Sequence, residues 1–199
     1  MSLPLTVPLQ GSALARWMLR RLGWQLKFDG LPRRQGVLIV YPHTSNWDFI
    51  YAILAKWGIG IHVTFWGKDT LFRVPLFGRW LRWLGGLPVN RHSASGIVGP
   101  MVRELVAARA ADRFMWLALS PEGTRSLKSS WRSGFYHVAR DAGVPLGLAY
   151  LDYGRRVVGI EHFMILSGDM RKDMAQISAT YSGVVGKRPA YTTPIQLKP

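Results

Sequence analysis

The chain predicts one mixed α/β domain, with a mostly parallel sheet flanked by helices. Three observations carry that expectation. Short runs rich in β-branched and aromatic residues, such as Val37–Tyr41 and Phe114–Leu119, alternate with longer segments of helical periodicity. The 199 residues, 48% of them hydrophobic, suffice for a sizeable single core. Polar turns containing Gly or Pro follow two of the strand-like runs, as expected where parallel strands end at one crevice.

The elements follow in order. Residues 1–30 form an N-terminal amphipathic helix and its lead-in. Within helix 12–24, Leu14, Trp17, Met18 and Leu22 share one face and Arg16 and Arg20 another. That pattern fits a packed helix and, equally, a helix lying in a membrane interface. Trp24–Phe28 reads as extended and Asp29–Pro32 as a turn. The α/β domain spans 31–182. It opens with strand 37–41, a helix over 47–57, strand 61–66, an aromatic and basic segment, and a short strand near 86–90. Helix 95–111 turns Met101, Val102, Leu105, Val106 and Ala108 inward, and strand 114–119 follows. Helix 133–142, strands 144–151 and 156–165, and a last helix over 169–181 complete the domain. The tail 183–199, with Pro189, Pro194 and Pro199, reads as irregular.

Net charge is +15, an excess that attracts nucleic acid or an anionic bilayer. Texture separates the two. Arginines alternate with tryptophan and leucine in Phe72–Leu84, the mixture expected at a membrane interface, so no nucleic-acid partner is expected. No apolar run reaches the roughly 18 residues of a transmembrane helix, and the N-terminal charges follow the apolar stretch instead of preceding it, unlike a signal peptide. The expected location is peripheral, on the cytoplasmic face of a membrane. The absence of cysteine excludes disulfides and a cysteine acyl-enzyme. The histidines (43, 62, 92, 137 and 162) show no metal-ligand spacing, so neither metal nor cofactor is expected, and the last four read as structural.

Two turns carry the chemistry. In His43-Thr44-Ser45-Asn46-Trp47-Asp48 a histidine stands where a strand ends, and an aspartate five positions on stands in the first turn of a helix. If the turn brings them together, Asp48 accepts the Nδ1 proton of His43 and leaves Nε2 as a base. A satisfied turn histidine beside a helix-capping aspartate is the alternative. The second turn, Ser120-Pro121-Glu122-Gly123-Thr124-Arg125-Ser126, also follows an apolar strand. Here Gly123 permits a tight backbone turn and a guanidinium at Arg125 can grip an oxyanion bidentately.

Together these segments resemble the glycerolipid acyltransferases, the lysophosphatidic-acid acyltransferase-like family. Its first block is a histidine, four residues and an aspartate, matched by His43 and Asp48. Its Pro-Glu-Gly-Thr-Arg block is matched by Pro121–Arg125. Gly67-Lys68, Pro75, Gly78, Gly85-Gly86 and Val89-Asn90-Arg91 are similar to the intervening block, and Val144–Leu148 to the last. The chain departs in reading Lys-Asp-Thr-Leu after Gly67 and in lacking a second proline in the last block.

The resemblance implies the glycerolipid acyltransferase fold. It also implies transfer of a fatty acyl group from a thioester, of coenzyme A or of acyl-carrier protein, to a hydroxyl of a lysophospholipid such as 1-acyl-glycerol-3-phosphate. His43 is then the general base and Asp48 its orienting acid. Lys68, Arg91 and Arg125, with Glu122, Gly123 and Thr124, are the expected headgroup site, Glu122 orienting Arg125 or the loop and Thr124 bonding the headgroup or the loop. Glycerol 3-phosphate, an aminoacyl lipid or a diacylglycerol-like alcohol are alternative acceptors. A non-catalytic basic protein binding membrane or nucleic acid is the reading from a different class.

Overall fold

The computed structural model describes residues 3–89 and 94–197. Its strands are β1 (Gln25–Phe28), β2 (Gln35–Tyr41), β3 (Val63–Lys68), β4 (Gly86–Val89), β5 (Met115–Leu119), β6 (Leu146–Asp152) and β7 (Val157–Met164). They form one sheet in the order β1-β7-β6-β2-β5-β3-β4. Every neighbouring pair is parallel except the antiparallel β6–β7 hairpin. The expected mixed, mostly parallel sheet is what forms. β2 lies at its centre and reads Gln-Gly-Val-Leu-Ile-Val-Tyr, almost wholly buried, because helices cover both faces of a parallel strand.

On one face pack α4 (Ala94–Ala110), α5 (Gly134–Ala142) and α6 (Met170–Thr180), through Leu105, Phe135, Tyr136 and Ile177 among others. The opposite face carries α1 (Ala13–Arg21) and α2 (Trp47–Ile59), through Leu19, Leu54 and Ile59. Ser12 caps α1 by accepting from the Ala15 N–H at 3.2 Å, and Gly60 ends α2 in the left-handed region at φ 84°. The two helices approach closely because Gly11 and Gly58 carry no side chains; a Cβ on Gly11 would stand 2.3 Å from the Gly58 carbonyl oxygen.

In α1 the apolar stripe does not pack on the core. Ala15 and Leu19 face the core, whereas Leu14, Trp17, Met18 and Leu22 lie exposed. The aromatic and basic segment contains a helix the sequence pattern conceals, α3 (Pro75–Trp83). Pro75 opens it at the first turn, where no N–H is needed, and Gly78 sits inside it against the Phe72 backbone. Leu76 and Trp83 are 81% and 71% exposed.

The tail is irregular in path but not loose. Trp131 bridges Leu197, the Trp131 N–H donates to the Gln196 carbonyl at 2.7 Å, and the Gln196 amide donates to the Ser129 carbonyl at 2.8 Å. Thr193 is fully buried. Its carbonyl accepts from the Tyr41 hydroxyl at 3.2 Å, and its hydroxyl oxygen accepts from the Lys128 N–H at 3.2 Å. Further back, the Tyr153 N–H donates to the Val185 carbonyl and the Arg188 N–H to the Thr44 hydroxyl oxygen. The tail therefore straps the loops at the carboxyl ends of β2, β5 and β6.

The β2–β5 register sets Gly36 opposite Trp116, whose ring is fully buried and held by its Nε1–H donating to the Arg33 carbonyl at 3.2 Å. A Cβ at Gly36 would come within 2.3 Å of that ring. Gly36→Ala is expected to destabilise the fold by about 1–3 kcal/mol through overpacking, measured by urea unfolding. Unchanged stability would mean that the ring can yield.

Candidate active site

The carboxyl ends of β6, β2, β5 and β3 lie side by side, and each delivers a polar residue. The chain leaves β2 at Tyr41 and reaches α2 through a short loop. In that loop Nδ1 of His43 lies 3.2 Å from Oδ2 of Asp48. Asp48, in the first turn of α2, is 1% exposed and His43 is 21% exposed. The same oxygen accepts the N–H groups of Thr44 and Ser45, both at 2.8 Å, so the carboxylate folds its own loop back on the helix start. The other oxygen accepts the Tyr153 hydroxyl at 2.7 Å. Burial opposes ionisation of Asp48, but the bonds from His43, Tyr153 and Ser45 outweigh it and hold the carboxyl below its ordinary range. The loop thus keeps a charge against Nδ1, which fixes the imidazole and turns Nε2 away, without a protein partner among the described residues.

The turn after β5 meets this loop from the neighbouring strand. Glu122 is 2% exposed. Its Oε2 accepts the backbone N–H of His43 at 2.6 Å, and its Oε1 accepts the N–H of Thr193 at 3.3 Å. The carboxylate therefore points inward and holds backbone, the loop-orienting one of its two expected roles, and makes no bond to Arg125 among the described residues. Gly123 turns the chain at φ 66°, with its N–H donating to the Ser120 carbonyl at 3.1 Å. The Thr124 hydroxyl lies 3.1 Å from that of Ser126, within the loop.

Arg125 projects from this turn, exposed and without a carboxylate partner among the described residues. Lys68 ends β3, one strand beyond β5, and is also exposed. With strands about 4.8 Å apart, that sets it roughly 10 Å along the same edge from β2. Arg91, and with it Asn90 and His92, lies outside the described residues. Arg132 is a cation the sequence reading passed over. Its N–H donates to the Pro121 carbonyl at 2.8 Å, and its side chain lies against Gly123, so close that a Cβ there would stand 2.9 Å from Nε. Among the described residues no three His, Cys, Asp or Glu side chains gather as metal ligands would.

Tyr153 and Thr193 were also missed. Tyr153 sits 105 residues from Asp48 in an Asp-Tyr-Gly-Arg turn that reads as an ordinary hairpin connection. Only the adjacency of β6 to β2 makes it a neighbour, and strand order is not written locally.

Burial pushes the Glu122 carboxyl up from 4.5 to about 7, the N–H bonds from His43 and Thr193 offsetting part of the push and the charge of Asp48 adding to it. The folded chain thus keeps a proton that the unfolded chain releases between pH 4.5 and about 7. Stability from this group falls as pH rises through that window, by an amount on the order of 3 kcal/mol. Glu122→Gln removes the titration, so the stability of wild type relative to this variant should decline from pH 5 to pH 8. Denaturant melts of both proteins at the two pH values check this; parallel profiles would contradict it.

Residues 25–147, well over half the chain, match the Acyltransferase family. No curated protein matches the chain. The fold is similar to the crystal structure of the 1-acyl-sn-glycerophosphate (LPA) acyltransferase PlsC from Thermotoga maritima, with a TM-score of 0.52 and 18% identity over 82% of this chain and 73% of that one. The matched segment contains both strand-end turns, with His43, Asp48 and Pro121–Arg125, and the chain belongs to the acyltransferase family.

Proposed function

We propose that the protein transfers a fatty acyl group from a thioester, of coenzyme A or of acyl-carrier protein, to a hydroxyl of an anionic lysolipid at a membrane surface. The observation carrying this reading is His43 clamped to a buried carboxylate, with a free Nε2, beside the exposed guanidinium of the Glu-Gly-Thr-Arg turn. In the reaction Nε2 takes the proton of the acceptor hydroxyl as its oxygen attacks the thioester carbonyl. The carbon–oxygen bond forms, a tetrahedral oxyanion collapses, and the thiolate leaves and takes up the proton from His43. Asp48 offsets the charge of the imidazolium between those steps. No covalent enzyme intermediate is required. Arg125, helped by Lys68 and Arg132, holds the phosphate of the acceptor, as 1-acyl-glycerol-3-phosphate would present it.

The surface supports a membrane as the place of reaction. No helix among the described residues is long and apolar enough to cross a bilayer. Exposed apolar side chains nevertheless cover α1, α2 and α3: Leu14 and Trp17, Trp47 and Trp57, Leu76 and Trp83. Ring contacts make α2 and α3 one surface, with Trp57 and Trp83 at 6.2 Å and Phe49 and Trp80 at 6.1 Å. Arg73, Arg79 and Arg82 lie along the same segment. Apolar bulk edged by arginine suits the headgroup layer of an anionic bilayer. Trp47, exposed in the His43–Asp48 loop, opens the helix whose far end carries Trp57, so an acceptor lying in the bilayer would reach the base without leaving it.

Thioester-release assays over a panel of lysolipids, with product mass spectrometry, test the proposal. His43→Ala should lower kcat by at least about 10²–10⁴ while circular dichroism stays that of wild type. Turnover at the wild-type rate would remove the mechanism. Arg125→Ala should raise KM about tenfold or more for a phosphate-bearing acceptor and leave KM for a neutral acyl acceptor unchanged. Equal effects on both acceptors would return Arg125 to a structural role.

A further inference from the structure

The carboxylate of Asp48 divides its two oxygens unequally. Oδ2 takes three donors: the N–H groups of Thr44 and Ser45, and Nδ1 of His43. Oδ1 takes the Tyr153 hydroxyl, at 2.7 Å. Without that bond Oδ1 would be a buried oxygen lacking a partner, and rotation of the carboxylate in search of one would carry Oδ2 off the imidazole. Tyr153 is itself held from three sides. Its N–H donates to the Val185 carbonyl at 2.8 Å, and its ring meets Trp24 and Tyr51 edge-on at 4.9 and 6.0 Å.

We propose that Tyr153 is a positioning residue for the His43–Asp48 pair, locking the Asp48 carboxylate so that Nδ1 of His43 stays fixed and Nε2 stays aimed at the acceptor. It acts through Asp48 and touches no reacting atom. Burial and the adjacent charge of Asp48 hold its hydroxyl protonated far above neutral pH, so it remains a donor wherever the enzyme works. The titratable groups around it are Tyr51 on α2 and the Asp152–Arg155 pair on its own turn, closed at 2.5 Å, and Glu122 on the turn after β5 interacts with the charge of Asp48. Beyond them Lys187 lies over the Trp47 ring at 4.8 Å. None of these donates to Oδ1, so none replaces the tyrosine.

The kinetic consequence rests on the acyl-transfer reading; the geometric one does not. Tyr153→Phe keeps the ring and removes only the hydroxyl. Expected are a kcat about tenfold lower and unchanged KM for thioester and acceptor, because a carboxylate free to rotate no longer fixes Nδ1 and offsets the imidazolium less. Reaction with diethyl pyrocarbonate at pH 8, followed by mass spectrometry of the His43 peptide, reads the same change without turnover. Its rate should fall several-fold in Tyr153→Phe, since an imidazole that has lost its carboxylate partner is the weaker nucleophile at Nε2. In an Asp48→Asn background the second substitution should add nothing, since the tyrosine works through that carboxylate. A wild-type kcat with an unchanged carbethoxylation rate, or an equal Tyr153→Phe effect in the Asp48→Asn background, overturns the inference. Full turnover by His43→Ala would sink the acyl-transfer reading alone and leave the carbethoxylation result standing.

Discussion

The backbone N–H of His43 donates to the buried carboxylate of Glu122, and the other Glu122 oxygen accepts from Thr193. Through these two bonds the turn after β2, the turn after β5 and the strap become one body. Asp48 then closes the first turn on itself and takes Nδ1 of His43. Glu122 is answered mainly by backbone N–H groups and Asp48 by two backbone N–H groups and two side chains, so the base is placed by main chain as well as by side chains. A site built this way tolerates exposure of His43 itself, because what orients the ring lies beneath it.

Two buried acids in the same loops end in opposite electrostatic conditions. Asp48 has four donors, one of them an imidazole, and its charge is favoured despite burial. Glu122 has two amides and a weaker contact with Ser120, and its carboxyl is pushed up by burial and by the charge of Asp48. The charge of Asp48 beside the imidazole is thus favoured and that of Glu122 behind it disfavoured, which lessens the repulsion an anionic acceptor would meet.

What the sequence made legible was local. The strands, most helices, the His43–Asp48 spacing and the Glu-Gly-Thr-Arg turn all depend on residues within a few positions of one another, where periodicity and turn chemistry operate. α3 escaped because Pro75 and Gly78, which read as breakers, serve as its start and as a close-packing point. Of the two roles open to Glu122, orienting Arg125 or the loop, the sequence could not choose, because its partners His43 and Thr193 lie 79 and 71 residues away. Tyr153 and Thr193 lie on strand ends and a strap whose place depends on strand order, which no local pattern encodes. The stripe on α1 fitted a packed and an interfacial helix equally. Its apolar residues do form one face, and that face lies exposed while Ala15 and Leu19 face the core.

That outward face bears on the charge. Four of the eleven acidic residues, Asp48, Glu122, Asp152 and Asp173, are buried in loops and helix starts. The accessible surface is accordingly more basic than the net +15 implies. Around α3 this excess borders exposed tryptophan and leucine, and a surface that is both basic and apolar pulls toward an anionic bilayer by two independent terms. Charge acts over about a Debye length, near 8–10 Å in ordinary salt, and brings the protein in; apolar contact acts only on touching and holds it. The loop that carries His43 ends in the exposed Trp47 at the start of α2, the helix whose other end sets Trp57 against Trp83 of α3. In the proposed reaction, then, the interaction that seats the protein on lipid also sets the height of the base above it, which is why the buried carboxylates must hold that loop rigid.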